Sequence, residues 1–322
     1  MQTKPGFVSP SKFFGLHQLD DGVYAAIATP GAAAFSNAGI IDLGDRTLIF
    51  DTLESPQAAA DLRSAAEQLT GRPAFCVINS HSHPDHWIGN QAFDPPTIIL
   101  AARPARQAML DDAAYLAELR VNPAELFTQL RRFEERLEKE TDPRWRETLE
   151  RSLVRTRNSL FELPTLVPRL PDLSVDGDLV FYGSQLVAEL SVRAGHTDSD
   201  LILLLPAQKI AFIGDLGFFA SQPLLVYGDP HLWRDQLEGL EDSPFETFVP
   251  GHGPLGGKAD LVLQRQYMQT MENLIAGVVG LGGTLDEAMR IPLPSPYSEW
   301  LTGEMARFER NVEWFYKRLS EA

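Results

Sequence analysis

The chain has 322 residues, with 28 Lys and Arg against 44 Asp and Glu, a formal charge of −16. That length holds one large domain, or one domain with a sizeable insertion, and 44% hydrophobic residues supply ample core material. The charge argues against a nucleic-acid or anionic-membrane surface, and a single cysteine, Cys76, excludes an internal disulfide or a site of several thiolates.

Met1 to Leu16 holds no apolar run of signal-peptide length, and the longest apolar stretch, Leu201 to Pro206, is too short to span a bilayer. A cytoplasmic protein with no membrane partner is expected. The first 51 residues read as β-structure. Gly22 to Thr29 is a β-prone run, and Ala38 to Leu43 and Arg46 to Phe50 flank a Gly44-Asp45 turn. Between them, the small apolar stretch Pro30 to Ser36 predicts a mobile hairpin tip. Residues 57–69 read as a helix with Leu62, Ala65 and Leu69 on one face. Ala74 to Asn79 is a short buried-type strand that runs into Ser80-His81-Ser82-His83-Pro84-Asp85-His86. Pro84 argues against regular continuation, which predicts a loop at a strand's C-terminal end, where open α/β sheets place their sites.

Residues 97–101 form another strand, after which the pattern turns helical to Leu163. Asn122-Pro123 and Asp142-Pro143 are helix starts, and Leu126, Leu130, Phe133 and Leu137 make one apolar stripe. Two or three amphipathic helices follow. This stretch carries 12 basic and 12 acidic residues, so the rest of the chain holds the whole −16. From Leu173 the β pattern returns, ending one strand in Gly214-Asp215. Asp229-Pro230 starts a further helix, residues 247–249 are a short strand, and the remainder is helical. Leu263, Tyr267 and Met271 share one helical face, and Leu301, Met305, Phe308, Val312 and Phe315 share another.

Five of the seven histidines fall in three clusters, each after a predicted strand: His81, His83 and His86; His196; and His252. Asp85 lies within the first cluster and Asp215 ends its own strand. Histidine is the commonest metal ligand, and four potential ligands in six residues would repel and desolvate one another without a metal. Five histidines and two aspartates are too many for one tetrahedral ion, so two ions with a bridging carboxylate are expected. His17 and His231, each alone, are read as ordinary polar residues.

The order HSHPDH, GHTDSD, a strand ending in Gly-Asp, then PGHGP resembles the metallo-β-lactamase fold superfamily, over roughly residues 15–100 and 175–255. The resemblance implies an α/β fold: a four-layer αββα sandwich spanning residues 1–322 as one domain, with a helical insertion at 103–163 and C-terminal helices at 258–322. By position, it implies one metal held by His81, His83 and His196, a second by Asp85, His86 and His252, and Asp215 bridging. Two divalent ions are implied, zinc first, with manganese or iron as alternatives. Closely related zinc β-lactamases carry cysteine at the bridging position, whereas Asp215 is similar to glyoxalase II and the lactonases. The substrate-anchoring lysine of the β-lactamases has no counterpart, since Phe218 stands three residues past Asp215, and the lactonase tyrosine near that place is missing too.

Such a site implies a hydrolase in which a metal-bridging hydroxide attacks a carbonyl carbon in a lactam, lactone, ester or thioester. Asp85 and Asp215 are the expected catalytic carboxylates, Asp85 also carrying a proton to the leaving group. Phe35, Trp87, Phe218, Phe219 and Tyr227 are expected to wall a small-molecule pocket. The insertion is expected to act as a lid or to pair subunits in a homodimer. The alternatives are a mononuclear iron sulfur dioxygenase and a metal-dependent phosphodiesterase. The complete second ligand set weighs against the first, and the acidity against nucleic acid as a substrate of the second.

Overall fold

The structure, a computed structural model, describes residues 11–300 and 307–321. Four antiparallel strands open it: β1 (Phe14–Asp20), β2 (Val23–Ala28), β3 (Ala38–Asp42) and β4 (Thr47–Phe50). Helix α1 (Pro56–Thr70) follows. Ser55 caps it by accepting from the Ala58 N–H, Pro56 presets its first turn, and Gly71 ends it at φ 70°. Then come β5 (Cys76–Ile78), the single turn α2 (Pro84–Trp87) and β6 (Ile98–Ala102). The helical insertion is α3 (Arg103–Val121), α4 (Ala124–Lys139) and α5 (Pro143–Glu162). Strand β7 (Leu173–Val175) completes a seven-stranded sheet in the order β1 to β7, parallel from β4 onward.

The second sheet holds β8 (Leu179–Tyr182), β9 (Val187–Arg193), β10 (Asp200–Leu205), β11 (Ile210–Phe218) and, after α6 (Pro230–Asp242), β12 (Thr247–His252). Its spatial order is β12-β11-β10-β9-β8, with only β11 and β12 parallel. Helices α7 (Lys258–Gly280), α8 (Leu285–Ala288) and α9 (Arg307–Ser320) complete the description; Leu301 and Met305 lie outside the described residues.

Period-2 alternation explains the layering, because successive strand side chains face opposite ways. Leu48, Phe50, Cys76 and Ile78 meet Leu201, Leu203, Leu205 and Phe212 between the sheets. The alternate residues Ile49 and Val77 face outward onto α1 with Leu62. On the other side Ile202, Ala211 and Ile213 pack against α6, α7 and α9 through Trp233, Tyr267 and Phe315. The result is a four-layer αββα sandwich. Cys76 is buried in its centre, and burial pushes its thiol up to about 12, as befits a core residue.

Two local expectations change. The tip at Gly31 to Phe35 is no free flap: Ala33 and Ala34 are buried in the α1 layer, which holds it down. The HSHPDH segment is not loop throughout, since Pro84 serves as the first residue of the turn α2. In the insertion, α4 has no buried residue, so its leucine stripe is only half covered. No helix among the described residues is long and apolar enough to cross a membrane.

Candidate metal centre

The seven candidate ligands gather on one rim of the sandwich, most of them just past strand ends, while β11 runs on three residues beyond Asp215 rather than ending there. His81, His83, Asp85 and His86 follow β5 of the first sheet; His196 lies between β9 and β10, Asp215 in β11 and His252 at the end of β12 of the second. Backbone sterics set this placement. A Cβ on Gly251 would sit 1.9 Å from Asp215 Oδ1, so only glycine lets β12 pass close enough to seat His252 beside Asp215. Gly214, at φ +49°, lets the chain pass Ser80 just before Asp215.

The atoms converge in two groups. In the first, His83 Nδ1 lies 3.0 Å from both His81 Nε2 and His196 Nε2, and Asp215 Oδ2 lies 3.2 Å from His196 Nε2 and 3.7 Å from His81 Nε2. Ligands around a tetrahedral zinc are roughly 3.3 Å apart, given bonds of about 2.0 Å. In the second group, Asp85 Oδ2 lies 3.3 Å from His252 Nε2 and 3.7 Å from His86 Nε2. Asp215 reaches this group too, with Oδ1 3.1 Å from His86 Nε2 and Oδ2 3.4 Å from His252 Nε2. One carboxylate therefore touches both groups.

The donor set fits metal ions better than it fits itself. Three imidazole nitrogens that meet at 3.0 Å cannot all be satisfied by protons. His86 Nε2 and Asp215 Oδ1 are buried and close, yet neither is aligned for a hydrogen bond.

Charge is arranged accordingly. Burial holds His83 down at about 4, and holds His81 and His196 well below the usual imidazole range, so all three are neutral and ready to ligate. Burial would also depress His86, but the carboxylates of Asp215, Asp51 and Asp85 outweigh it and raise it well above that range. Burial would raise Asp215 and Asp85. Neighbouring imidazoles win at both, leaving Asp85 at about 2 and Asp215 well below the carboxylate range.

Sequence reasoning missed the residues that orient these ligands. Asp51, at φ 60°, follows β4; its Oδ2 lies 2.8 Å from His86 Nδ1 and accepts from Ser80 Oγ, while its Oδ1 accepts from the Ser80 N–H. Ser80 Oγ also lies 2.9 Å from His81 Nδ1. The Phe35 carbonyl lies 3.1 Å from His252 Nδ1. Asp200 accepts from the backbone N–H groups of His196 and Thr197, and burial pushes its carboxyl up to about 7. Such outer partners fix ring orientation and basicity. The available signal was position: Asp51 ends a predicted strand on the same rim as the ligands.

Residues 31–252 match the metallo-β-lactamase superfamily, a span that contains all seven ligands. The chain belongs to that superfamily. Among solved structures, the stereoselective inverting sec-alkylsulfatase Pisa1 from Pseudomonas sp. is similar at 16% identity and TM-score 0.63, over 95% of this chain and 50% of that one. The chain thus spans about half the length of the alkylsulfatase it matches. A metallo-β-lactamase from Pontibacter korlensis is similar at 16% identity and TM-score 0.53, over 80% of this chain and 99% of its own. One from Erythrobacter litoralis gives 14% and 0.56, over 82% and 100%.

In this superfamily member the expected aromatic wall is mostly floor. Trp87 is fully buried between the sheets, its indole N–H donating to the Ser82 carbonyl. Phe219 is core. Phe218 is buried too, but stacks on His252 at 4.8 Å and 20° and supports the ligand from beneath. These three correct the expectation, because β11 and α2 turn their aromatic side chains inward. Tyr227 does border the site, its half-exposed ring 4.6 Å from His83. Phe35 lines two cavities beside the centre, one of which includes His252. From the insertion, Arg155 lies over the Phe35 ring at 4.8 Å and pairs with Glu54 at 2.9 Å. Its charge also helps to lower Asp85. His17 and His231 take no part: His17 is exposed, and His231 faces Glu272 at 3.3 Å.

Proposed function

We propose that the chain is a dinuclear metal hydrolase acting on a carbonyl compound, a lactam, lactone, ester or thioester. The observation that carries this is Asp215, whose two oxygens reach two complete ligand groups. His81, His83, His196 and Asp215 would hold one ion, and Asp85, His86, His252 and Asp215 the other. Zinc suits the nitrogen-rich set best, with manganese or iron as alternatives. Two such ions would bring water's pKa toward neutrality and polarise a substrate carbonyl.

The chain's own groups do the rest. Asp215, almost wholly buried, holds the two halves at fixed spacing. Asp85 is the more exposed carboxylate, at 12% against 3%, so it is the one placed to take a proton and pass it to a leaving group. Asp51 holds the His86 ring, and the Phe35 carbonyl holds that of His252. Phe218 closes the floor against water.

The intact group of Asp85, His86 and His252 argues against a mononuclear iron dioxygenase. Sulfate-ester hydrolysis is the second reading, favoured by the 95% coverage of this chain by an alkylsulfatase fold against 80% and 82% for the two β-lactamases. Exposed Val121 and Phe161 support a homodimer through the insertion, which sedimentation velocity tests. The deciding experiment is elemental analysis plus a panel on zinc-loaded protein: nitrocefin, a lactone, p-nitrophenyl esters, a glutathione thioester, bis-p-nitrophenyl phosphate and a secondary alkyl sulfate. Two metals per chain with turnover of a carbonyl substrate is the expected result. One iron with oxygen uptake, or turnover of the sulfate alone, overturns it.

A further inference from the structure

Beneath the helical insertion lies a cavity of about 160 Å³. Ten of its sixteen lining residues are apolar. Leu119 of α3, Leu126 of α4, and Leu163 and Leu166 after α5 form one side, while Ile88, just after α2, and Pro84 form the other. Pro84 stands between two ligands, His83 and Asp85, so the cavity abuts the metal loop. Phe35 is a wall common to this cavity and to a smaller one, about 90 Å³, that includes His252. Arg155 lies over that ring, and Glu54, Ser55 and Glu162 place polar groups at the same end.

An empty apolar cavity destabilises a fold, and side chains ordinarily close it. Here leucines of α3, of α4 and of the segment after α5 face the metal loop without filling the space. An apolar cavity of about 150 Å³ accepts benzene, so this one suits about six carbons. We propose that the cavity beneath the insertion seats the apolar part of the substrate while its hydrolysable group lies at the metal-ligand cluster. This rests on the carbonyl-hydrolase reading and names its substrate class: esters, thioesters or lactones bearing an aliphatic chain of medium length. The insertion thereby acts as a specificity element, and Phe35 with Arg155 separates tail from head.

The test uses zinc-loaded full-length chain and p-nitrophenyl acetate, butyrate, hexanoate, octanoate and decanoate. A buried methylene contributes about a fourfold gain. The expected profile is therefore a kcat/KM that climbs about fourfold per methylene to about hexanoate and then flattens. Leu119→Trp and, separately, Leu126→Trp fill the cavity, and each is expected to lower the hexanoate-to-acetate ratio about tenfold. Circular dichroism identifies which variant is folded, and Leu126, only half buried, tolerates the larger ring better. A flat profile in the wild type, or an unchanged ratio in a folded variant, overturns the proposal. If neither these esters nor the lactone, thioester and nitrocefin of the panel are cleaved, the carbonyl reading fails, and saturation-transfer NMR with 1-hexanol decides the cavity separately. Binding that Leu126→Trp abolishes supports it; no binding, or binding that the variant leaves intact, overturns it.

Discussion

Asp215 carries the greatest load of any single residue, because both ligand groups close on it. Asp215→Ala is expected to reduce bound metal from two atoms per chain to fewer than one and to abolish hydrolysis, as read by elemental analysis and the substrate panel; unchanged stoichiometry refutes the bridging role. Asp51 acts one step out. Its oxygen lies 2.8 Å from His86 Nδ1, so Asp51→Asn should weaken metal binding by about 10- to 100-fold while the fold persists, measured by competition with a chelator. Protonation offers a third check. A lowered pKa means the ring stays neutral below the usual range, and a raised one means it stays charged above it. In chelator-treated protein at pH 5.5, where an ordinary histidine is mostly charged, imidazole NMR should show His81, His83 and His196 neutral. His86 should remain charged at pH 7.5. Charged rings at all four positions would contradict the burial argument.

At the scale of elements, the site is an encounter of strand ends. Strands β11 and β12 run parallel, and the register that pairs Phe218 with His252 brings both ends to the same rim. Gly251 is the tightest point of that encounter. Gly251→Ala places a methyl 1.9 Å from Asp215 Oδ1, so β12 must shift and carry His252 with it. The expected outcome is selective loss of one metal with a fall in thermal midpoint, checked by elemental analysis and calorimetry. The helices tell a different story. α1 is legible from the spacing of Leu62, Ala65 and Leu69, because periodicity is local, and the Ser55 cap with Pro56 moves its start one residue earlier than that spacing shows. The small residues of the Pro30 to Ser36 tip suggest a free turn, whereas the burial of Ala33 and Ala34 against α1 is a tertiary fact.

Across the whole molecule, the ligand cluster joins the two sheets: His81, His83, Asp85 and His86 come from the first, and His196, Asp215 and His252 from the second. Bound metal should therefore brace the sandwich. At free metal a thousandfold above its dissociation constant the gain is about 4 kcal/mol. Chelation is expected to lower the thermal midpoint by several degrees, and re-addition of zinc to restore it; an unchanged midpoint would mean the sheets hold without the centre. The charge follows the same division. The insertion, neutral in itself, lies over the cavity, and the acidic remainder holds the sites for the cations. The candidate ligands could be named from the sequence because histidine clustering after strands is a property of neighbouring positions, and the four-layer sandwich came with the family resemblance those motifs carry, whereas strand order across the two sheets was not readable. Trp87, Phe218 and Phe219 show the limit: an aromatic residue next to a ligand can face groove or core, and only the packing of the opposite sheet and helices decides which. The same holds for Asp51 and Arg155. One lies 35 positions from the histidine it orients and the other 120 from the phenylalanine it covers, and spacing along a chain carries no record of contacts made in three dimensions.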